Sequence, residues 1–241
     1  MVEVAAVVKA YDVRGLVPEQ LDAGTARALG SAFAQVVVRP EGHAGIVLGR
    51  DMRATSPELA DAFAGGVLEQ GVDVMDIGLC STDGLSYASG TRDLPGAMVT
   101  ASHNPAGDNG IKLCRAAAAP VGQDSRLAEI RDLAQWLLDR GDLHQLTAPA
   151  SAGRRQEVDL LADYAAPATE RVRRWALDRG ARVDDTDGLL GRQDEGSVAF
   201  WWVSLRSSNT EPVMRLTVEA RDGARMEQVR DAVLAVVEQE D

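Results

Sequence analysis

The stretch of sequence that decides the fold begins with a short apolar run, Gly96 to Val99, which has the composition of a buried strand. Hydroxyl, imidazole and amide side chains follow it directly, in the order Thr100-Ala101-Ser102-His103-Asn104-Pro105 and then Asp108-Asn109-Gly110-Ile111-Lys112. The proline prevents a regular element from continuing, and both Asn-Pro and Asn-Gly are turn dipeptides. Ser102 is therefore expected on a tight loop at the carboxyl end of a strand, where open α/β sheets bind their ligands.

Alternating strand and helix patterns surround this stretch over residues 1–140. Apolar runs predict strands at Val4–Val8 and Gly45–Gly49, and alternating apolar and acidic residues predict a half-buried strand at Val72–Ile77. Ala-rich or amphipathic runs predict helices at Leu21–Val37, Ser56–Gln70 and Arg126–Arg140. We expect Ser56 to cap the second of these, because serine followed by proline is a strong helix start. The alternation predicts a layered α/β domain with a mixed sheet between helices.

The pattern changes after residue 140. Residues 141–167 are predicted to be a linker, with a short helix that ends before Pro167. Residues 168–241 begin with a helix to Arg179, continue with short strands between turn dipeptides and end in an amphipathic helix. The aromatic run Val198–Val203 is expected as a core strand. Strands covered by a final helix predict a small α+β domain.

The composition disfavours several classes of partner. Lys and Arg number 25 and Asp and Glu 37, so the formal net charge is −12. Nucleic acid and anionic membranes require a basic surface, so we expect neither as a partner. Cys80 and Cys114 match no metal-ligand spacing and are expected as reduced thiols of a cytoplasmic protein. The first residues show no signal-peptide pattern, and no apolar run approaches the length of a membrane span.

The run from Thr100 to Pro105 closely resembles the active-serine loop of the α-D-phosphohexomutases, the phosphoglucomutase and phosphomannomutase family. In that family the loop serine carries a phosphoryl group that it exchanges with a hexose. The resemblance implies that Ser102 is the phosphoserine, that His103 transfers a proton beside it, and that Lys112 is a cation facing the phosphate.

Two further turns near the N-terminus resemble the same family. Tyr11-Asp12-Val13-Arg14-Gly15 is similar to the turn that ends the family's opening strand, which implies that Arg14 points into the active site. Gly49-Arg50-Asp51 is similar to a turn that lies near the active serine. We expect a structural role for Arg50 and Asp51, as an ion pair that braces the loop.

A second polar loop lies in the C-terminal part, Arg206-Ser207-Ser208-Asn209-Thr210-Glu211-Pro212. Its guanidinium, hydroxyl, amide and backbone N–H groups are all suited to binding a phosphate. It resembles the loop with which the family's C-terminal domain, a TATA-box-binding-protein-like fold, holds the non-reacting phosphate of the sugar. The resemblance implies that the substrate phosphate is bound by Arg206, Ser207, Ser208, Asn209, Thr210 and Arg215.

The resemblance covers the first and the fourth domains of a four-domain family, and the two middle domains are absent. The second domain supplies a D-G-D-x-D-R loop that holds Mg²⁺, and the third a sugar-contacting G-E-x-S-G-H loop. This sequence has neither, and Asp184-Asp185-Thr186-Asp187 does not match the first. We place the join near Ala166-Pro167. The family implies Mg²⁺ and hexose 1,6-bisphosphate, but only a phosphorylated Ser102 is left here as a metal ligand.

The activity implied by the family is an intramolecular phosphotransfer that interconverts hexose 6-phosphate and hexose 1-phosphate, of mannose or glucose. Without the aspartate ligands we expect this activity to be absent or severely reduced. The alternatives are a non-catalytic phosphosugar-binding remnant, a fragment that works only with a partner chain, and an artificially shortened chain without a function. Former domain interfaces left exposed would form apolar patches and favour a homodimer.

Overall fold

A computed structural model describes residues 3–122, 126–140, 151–185, 188–193, 200–207 and 214–238. The chain divides into two compact units, Met1–Leu160 and Leu161–Asp241, and each unit has a hydrophobic core of its own. In the part of the chain that is described, no helix has both the length and the apolar character needed to cross a membrane.

The first unit is a layered α/β domain, as the sequence predicted. Its helices are α1 (Val4–Val7), α2 (Ala23–Phe33, continued by a π-helical turn at Ala34–Val38), α3 (Ser56–Glu69), α4 (Thr82–Arg92) and α5 (Leu127–Arg140). Its strands are β1 (Val13–Leu16), β2 (Gly45–Arg50), β3 (Asp73–Leu79), β4 (Gly96–Val99), β5 (Asp108–Cys114) and β6 (Arg155–Glu157). They form one sheet in the order β1-β5-β4-β2-β3-β6. The pairs of β5 with β1 and with β4 are antiparallel and the other pairs are parallel, so the sheet is mixed.

Side chains alternate between the two faces of this sheet along each strand, and helices cover both faces. In β2, Ile46 and Leu48 belong to the main core, which also contains the buried faces of α1, α2, α3 and α5. Val47, between them, packs instead with Met98 and with Leu85 of α4. The result is a sheet between two helical layers, which leaves the strand ends as the accessible positions for ligands.

The second unit is a small α+β domain. It consists of α6 (Leu161–Leu177), β7 (Arg182–Asp184), β8 (Leu189–Gln193), β9 (Trp201–Ser207), β10 (Met214–Ala220) and α7 (Gly223–Val237). The strands form an antiparallel sheet in the order β10-β9-β8-β7. Trp201 is fully buried and its ring centroid lies 5.0 Å from that of Trp175 in α6. The aromatic run therefore forms a core strand, as predicted, although residues 194–199 lie outside the described part.

The strand predicted at Val4–Val8 is wrong. Residues Val4–Val7 form one turn of helix, and Val8 makes only an isolated bridge with Val13. The buried Val4 is held by its backbone N–H, which donates to the Gln135 side chain of α5 at 2.8 Å. A short apolar run does not distinguish a strand from a buried helical turn by its periodicity, and here packing on α5 decides.

The predicted helix break at Pro167 is also wrong, because α6 runs continuously through this proline. The helix buries Val172, Trp175 and Ala176 in the second core, and this packing outweighs the hydrogen bond that proline removes. The predicted linker is in part a strand, since β6 pairs with the edge of β3. The structural boundary at residue 160 therefore differs from the predicted boundaries at 140 and 167.

Helices α2 and α3 approach so closely that two glycines are required where they cross. A Cβ atom added to Gly30 would lie 2.2 Å from the carbonyl oxygen of Phe63, and one added to Gly66 would lie 2.0 Å from that of Arg27. The neighbouring Gly65 has no atom within 4 Å of the same position. Two adjacent glycines of one helix thus differ completely in the space around them.

These two glycines give a stability prediction with an internal control. Gly66→Ala forces the helices apart and should lower the free energy of unfolding of the first unit by about 1–3 kcal/mol. Gly65→Ala should raise it by about 0.5–1 kcal/mol, because alanine is the better helix former. Urea denaturation followed by circular dichroism measures both. Equal effects of the two substitutions would contradict the close helix packing.

Candidate functional site

The strand order places two turns side by side at the carboxyl ends of neighbouring strands in the first sheet. Strands β2 and β4 are parallel neighbours, with Arg50 opposite Val99. The backbone N–H of Asp51 donates to the carbonyl of Val99 at 3.0 Å, so the chain leaving β2 lies against the chain leaving β4. The loop that carries Ser102 therefore lies beside residues 51–55.

Ser102 itself has an unusual backbone. Its φ of 53° lies in the left-handed region, which non-glycine residues rarely adopt. Its N–H donates to the Thr100 hydroxyl at 2.9 Å, and the Asn104 N–H closes the turn on Ala101 at 3.1 Å. The Ser102 residue is exposed, and its own hydroxyl has no hydrogen-bond partner among the described residues. The loop thus presents a serine hydroxyl at the carboxyl end of β4, as predicted.

Strand β5, which returns from this loop, and its neighbour β1 each bring one cation to the site. Arg14 on β1 is paired with Gly110 on β5, and Lys112 lies two residues further along β5. The Asp12 carboxylate accepts from Arg14 Nε at 2.8 Å and from Lys112 Nζ at 3.2 Å. The Arg14 Nη1 group donates to Asn104 Oδ1 at 2.8 Å, which ties this arginine to the serine loop. Two positive charges thus share one carboxylate beside the loop.

Both cations keep donors for a further acceptor. Lysine has three N–H donors and arginine five. Lys112 uses one on Asp12, and Arg14 uses one on Asp12 and one on Asn104; within the described residues, their other donors have no partner. The side chains are 33% and 27% exposed, so an anion from solvent can reach them. On the far side, the Asn104 amide donates to Asp108 at 3.2 Å, which fixes the orientation of that amide.

A buried polar network joins β5 to the turn after β2, next to the serine loop. Asn109 is fully buried and donates to the hydroxyls of Thr55 and Ser56 at 2.9 and 3.0 Å. Ser56 Oγ in turn donates to Asp51 at 2.5 Å. The prediction that Ser56 caps α3 is therefore wrong: Thr55 holds the cap position, and the Ser56 hydroxyl is used in the network instead.

The prediction that Arg50 forms an ion pair with Asp51 names the wrong arginine. The partner of Asp51 is Arg53, with Nε 3.3 Å from the carboxylate. Arg53 also donates to four carbonyl oxygens of the serine loop, those of Ser102, Asn104, Pro105 and Asp108. Reasoning from the sequence missed this residue. Arg53 lies a few residues beyond β2, and the parallel pairing of β2 with β4 brings it to the serine loop; no local sequence pattern marks it.

The remaining predicted residues are placed less completely. His103 is exposed next to Ser102 and makes no hydrogen bond with the described residues. Arg206 and Arg215 are exposed and directly opposite one another on β9 and β10. Ser208, Asn209 and Thr210, and the side chain of Ser207, lie outside the described residues.

The side chains that the structure describes do not fit a protein-bound metal. In the described residues there is no group of three His, Cys, Asp or Glu side chains that could hold a metal ion. Burial raises the pKa of the Cys80 thiol to about 12 and also raises the pKa of Cys114, so both thiols stay protonated at neutral pH. Both cysteines are free, as expected for reduced thiols.

Comparison with known proteins identifies the two parts of the chain. Residues 5–136 match the sequence model for the phosphoglucomutase/phosphomannomutase alpha/beta/alpha domain I, and residues 152–236 match the model for the C-terminal domain of the same proteins. The second match begins before Pro167, so the join predicted near Ala166-Pro167 lies within the matched range and stays a prediction.

Individual relatives agree with these matches. A phosphohexose mutase from Xanthomonas campestris is 42% identical over 125 residues, which is 52% of this chain and 27% of the relative. A Klebsiella pneumoniae phosphomannomutase is 36% identical over 157 residues, covering 65% of this chain and 94% of the relative. A phosphoglucomutase/phosphomannomutase family structure from Burkholderia thailandensis superposes with a TM-score of 0.59 at 30% identity, over 70% of this chain and 36% of that one.

The matched part of this chain thus spans only 27% of the length of the Xanthomonas relative and 36% of the length of the solved structure. The two domain models together cover most of the chain, from residue 5 to 136 and from 152 to 236. The chain belongs to the phosphoglucomutase/phosphomannomutase family.

Proposed function

We propose that this chain retains the phosphoserine chemistry of a phosphohexomutase, in which Ser102 exchanges a phosphoryl group with a mannose or glucose phosphate. The observation that carries the proposal is the pair of cations beside the serine loop. Arg14 and Lys112 are anchored on one carboxylate, Asp12, and retain donors that face no other described group. Fixed cations of this kind stabilise the charge that develops on a transferring phosphoryl group.

The proposed reaction is a transfer between two oxygens. The bond from phosphorus to Ser102 Oγ breaks while a bond to a sugar hydroxyl oxygen forms, and His103 takes the proton of that hydroxyl. This gives a hexose 1,6-bisphosphate, whose other phosphate returns to Ser102 and leaves the isomeric monophosphate. Arg206, Ser207, Ser208, Asn209, Thr210 and Arg215 would bind the phosphate that does not react.

We expect complete turnover to be absent or severely reduced. The sequence lacks a D-G-D-x-D-R run, and no cluster of metal ligands occurs among the described residues. A bound metal supplies several kcal/mol to such transition states, and each ~1.4 kcal/mol is a factor of ten in rate. The same observation favours a second candidate, a phosphosugar-binding protein without catalysis.

The first experiment is intact-mass spectrometry of the purified chain before and after incubation with glucose 1,6-bisphosphate. We expect the gain of one phosphoryl group in the wild type and none in Ser102→Ala, because the serine oxygen is the proposed acceptor. No gain in the wild type would contradict the proposed transfer. If a hexose phosphate still raises the melting temperature in that case, the chain is a binding protein.

A second experiment tests the cations. Lys112→Ala should weaken the binding of glucose 1,6-bisphosphate about tenfold, because it removes one partly screened charge–phosphate contact. Isothermal titration calorimetry measures the affinity, with Arg39→Ala as the control because Arg39 is an exposed arginine of the same unit. An equal loss in both variants would show a general charge effect and would argue against a specific role for Lys112.

A further inference from the structure

One arginine next to the serine loop uses four of its five donors on carbonyl oxygens of that loop. Arg53 Nη1 donates to the carbonyl oxygens of Pro105 at 2.7 Å and Asp108 at 3.0 Å. Its Nη2 donates to those of Ser102 at 2.9 Å and Asn104 at 2.7 Å, and its Nε lies 3.3 Å from the Asp51 carboxylate. A guanidinium has five N–H donors in a fixed plane, so four are bonded to the loop and the fifth, on Nε, faces the paired carboxylate.

The four bonds to the loop distinguish Arg53 from the cations that could bind a ligand. Arg14 and Lys112 keep donors without a described partner and are about a third exposed. The Arg53 side chain is 13% exposed, and its charge is paired with Asp51. Its Nη donors are all bonded to the loop and its Nε faces the Asp51 carboxylate, so its contribution comes from the position that it imposes on the loop.

The loop needs such a contact for two reasons. Its four carbonyl oxygens point to one place, where their dipoles repel one another unless a cation lies between them. Its Ser102 also has a φ of 53°, a conformation that persists only when surrounding contacts impose it. The Arg53 guanidinium binds the carbonyl of Ser102 itself and so acts directly on the strained residue.

Arg53 is in turn held from outside the loop. Its backbone N–H donates to Asp51 Oδ1 at 3.0 Å, and that same oxygen accepts from the Ser56 hydroxyl. Ser56 is bound by the buried Asn109, which lies on β5. The arginine therefore joins the turn after β2 to the loop after β4 in one continuous hydrogen-bonded network.

We infer that Arg53 is the positioning residue of the phosphoryl-transfer loop, which sets the backbone of Ser102 relative to Arg14 and does not touch the phosphate. The role in transfer rests on the proposed function, whereas the effect on the loop does not. A lysine keeps the charge but lacks the planar fork, so it cannot hold four carbonyl oxygens in this geometry.

The first measurement is independent of catalysis. In the full chain, Arg53→Lys should speed amide hydrogen exchange at Ser102, Asn104 and Asp108 by at least about tenfold and leave β2 unchanged. Arg39→Lys should change neither region. Exchange in the loop equal to that of the wild type would overturn the inference, whether or not the protein transfers phosphate.

The second measurement separates positioning from binding. If the wild type takes up phosphate, Arg53→Lys should slow that uptake by about 100-fold with the affinity for glucose 1,6-bisphosphate within about twofold of the wild type. An affinity loss as large as that of Lys112→Ala would make Arg53 a ligand-binding residue and overturn the inference. If the wild type takes up none, the proposed function fails, and the exchange measurement still decides the role of Arg53.

A second variant protects the test against failure to fold. Asp51→Asn leaves the guanidinium in place but removes its charge partner, so it should speed exchange at the same three amides by a smaller factor. Loop exchange unchanged in a folded Asp51→Asn chain, together with an Arg53→Lys chain that does not fold, would count against a positioning role.

Discussion

The site depends on the parallel pairing of β2 with β4. This pairing places Arg50 opposite Val99, and the hydrogen bond from Asp51 to Val99 extends it by one residue beyond the strand. The turns that follow these two strands therefore lie side by side at the carboxyl ends of the strands. This is the position where open α/β sheets bind their ligands. Without this register, the turn that carries Arg53 and the loop that carries Ser102 would not meet.

The antiparallel return through β5 supplies the second half of the site. Gly110 is essential there, because a Cβ atom at this position would lie 2.2 Å from the carbonyl oxygen of Val13. The close approach of β1 to β5 lets Asp12 reach both Arg14 and Lys112. One carboxylate between two cations holds them in place and leaves an excess of positive charge for a phosphate, in a chain whose net charge is −12.

Local sequence was enough to predict strand β4, the turn that carries Ser102 and the helices around them, because turn dipeptides and apolar periodicity act over a few residues. Prediction from local sequence failed where contacts with residues distant in sequence determine the secondary structure. Val4–Val7 is helical because it packs on α5, and Arg155–Glu157 is a strand because it pairs with the edge of β3. Arg53 was missed for the same reason, since its four carbonyl partners lie about 50 residues away. No short-range pattern distinguishes such an arginine from a surface one.

The central claim is that Arg14 and Lys112 lie against a phosphoryl group on Ser102. The most direct test is the phosphorus NMR titration of a chain that carries phosphoserine at residue 102, installed during translation. The second pKa of phosphoserine is about 6 in a free peptide, and two adjacent cations should lower it because they favour the dianion. We predict a pKa well below that value, which returns toward it in Lys112→Ala. A phosphoserine that titrates as in a free peptide would contradict the account.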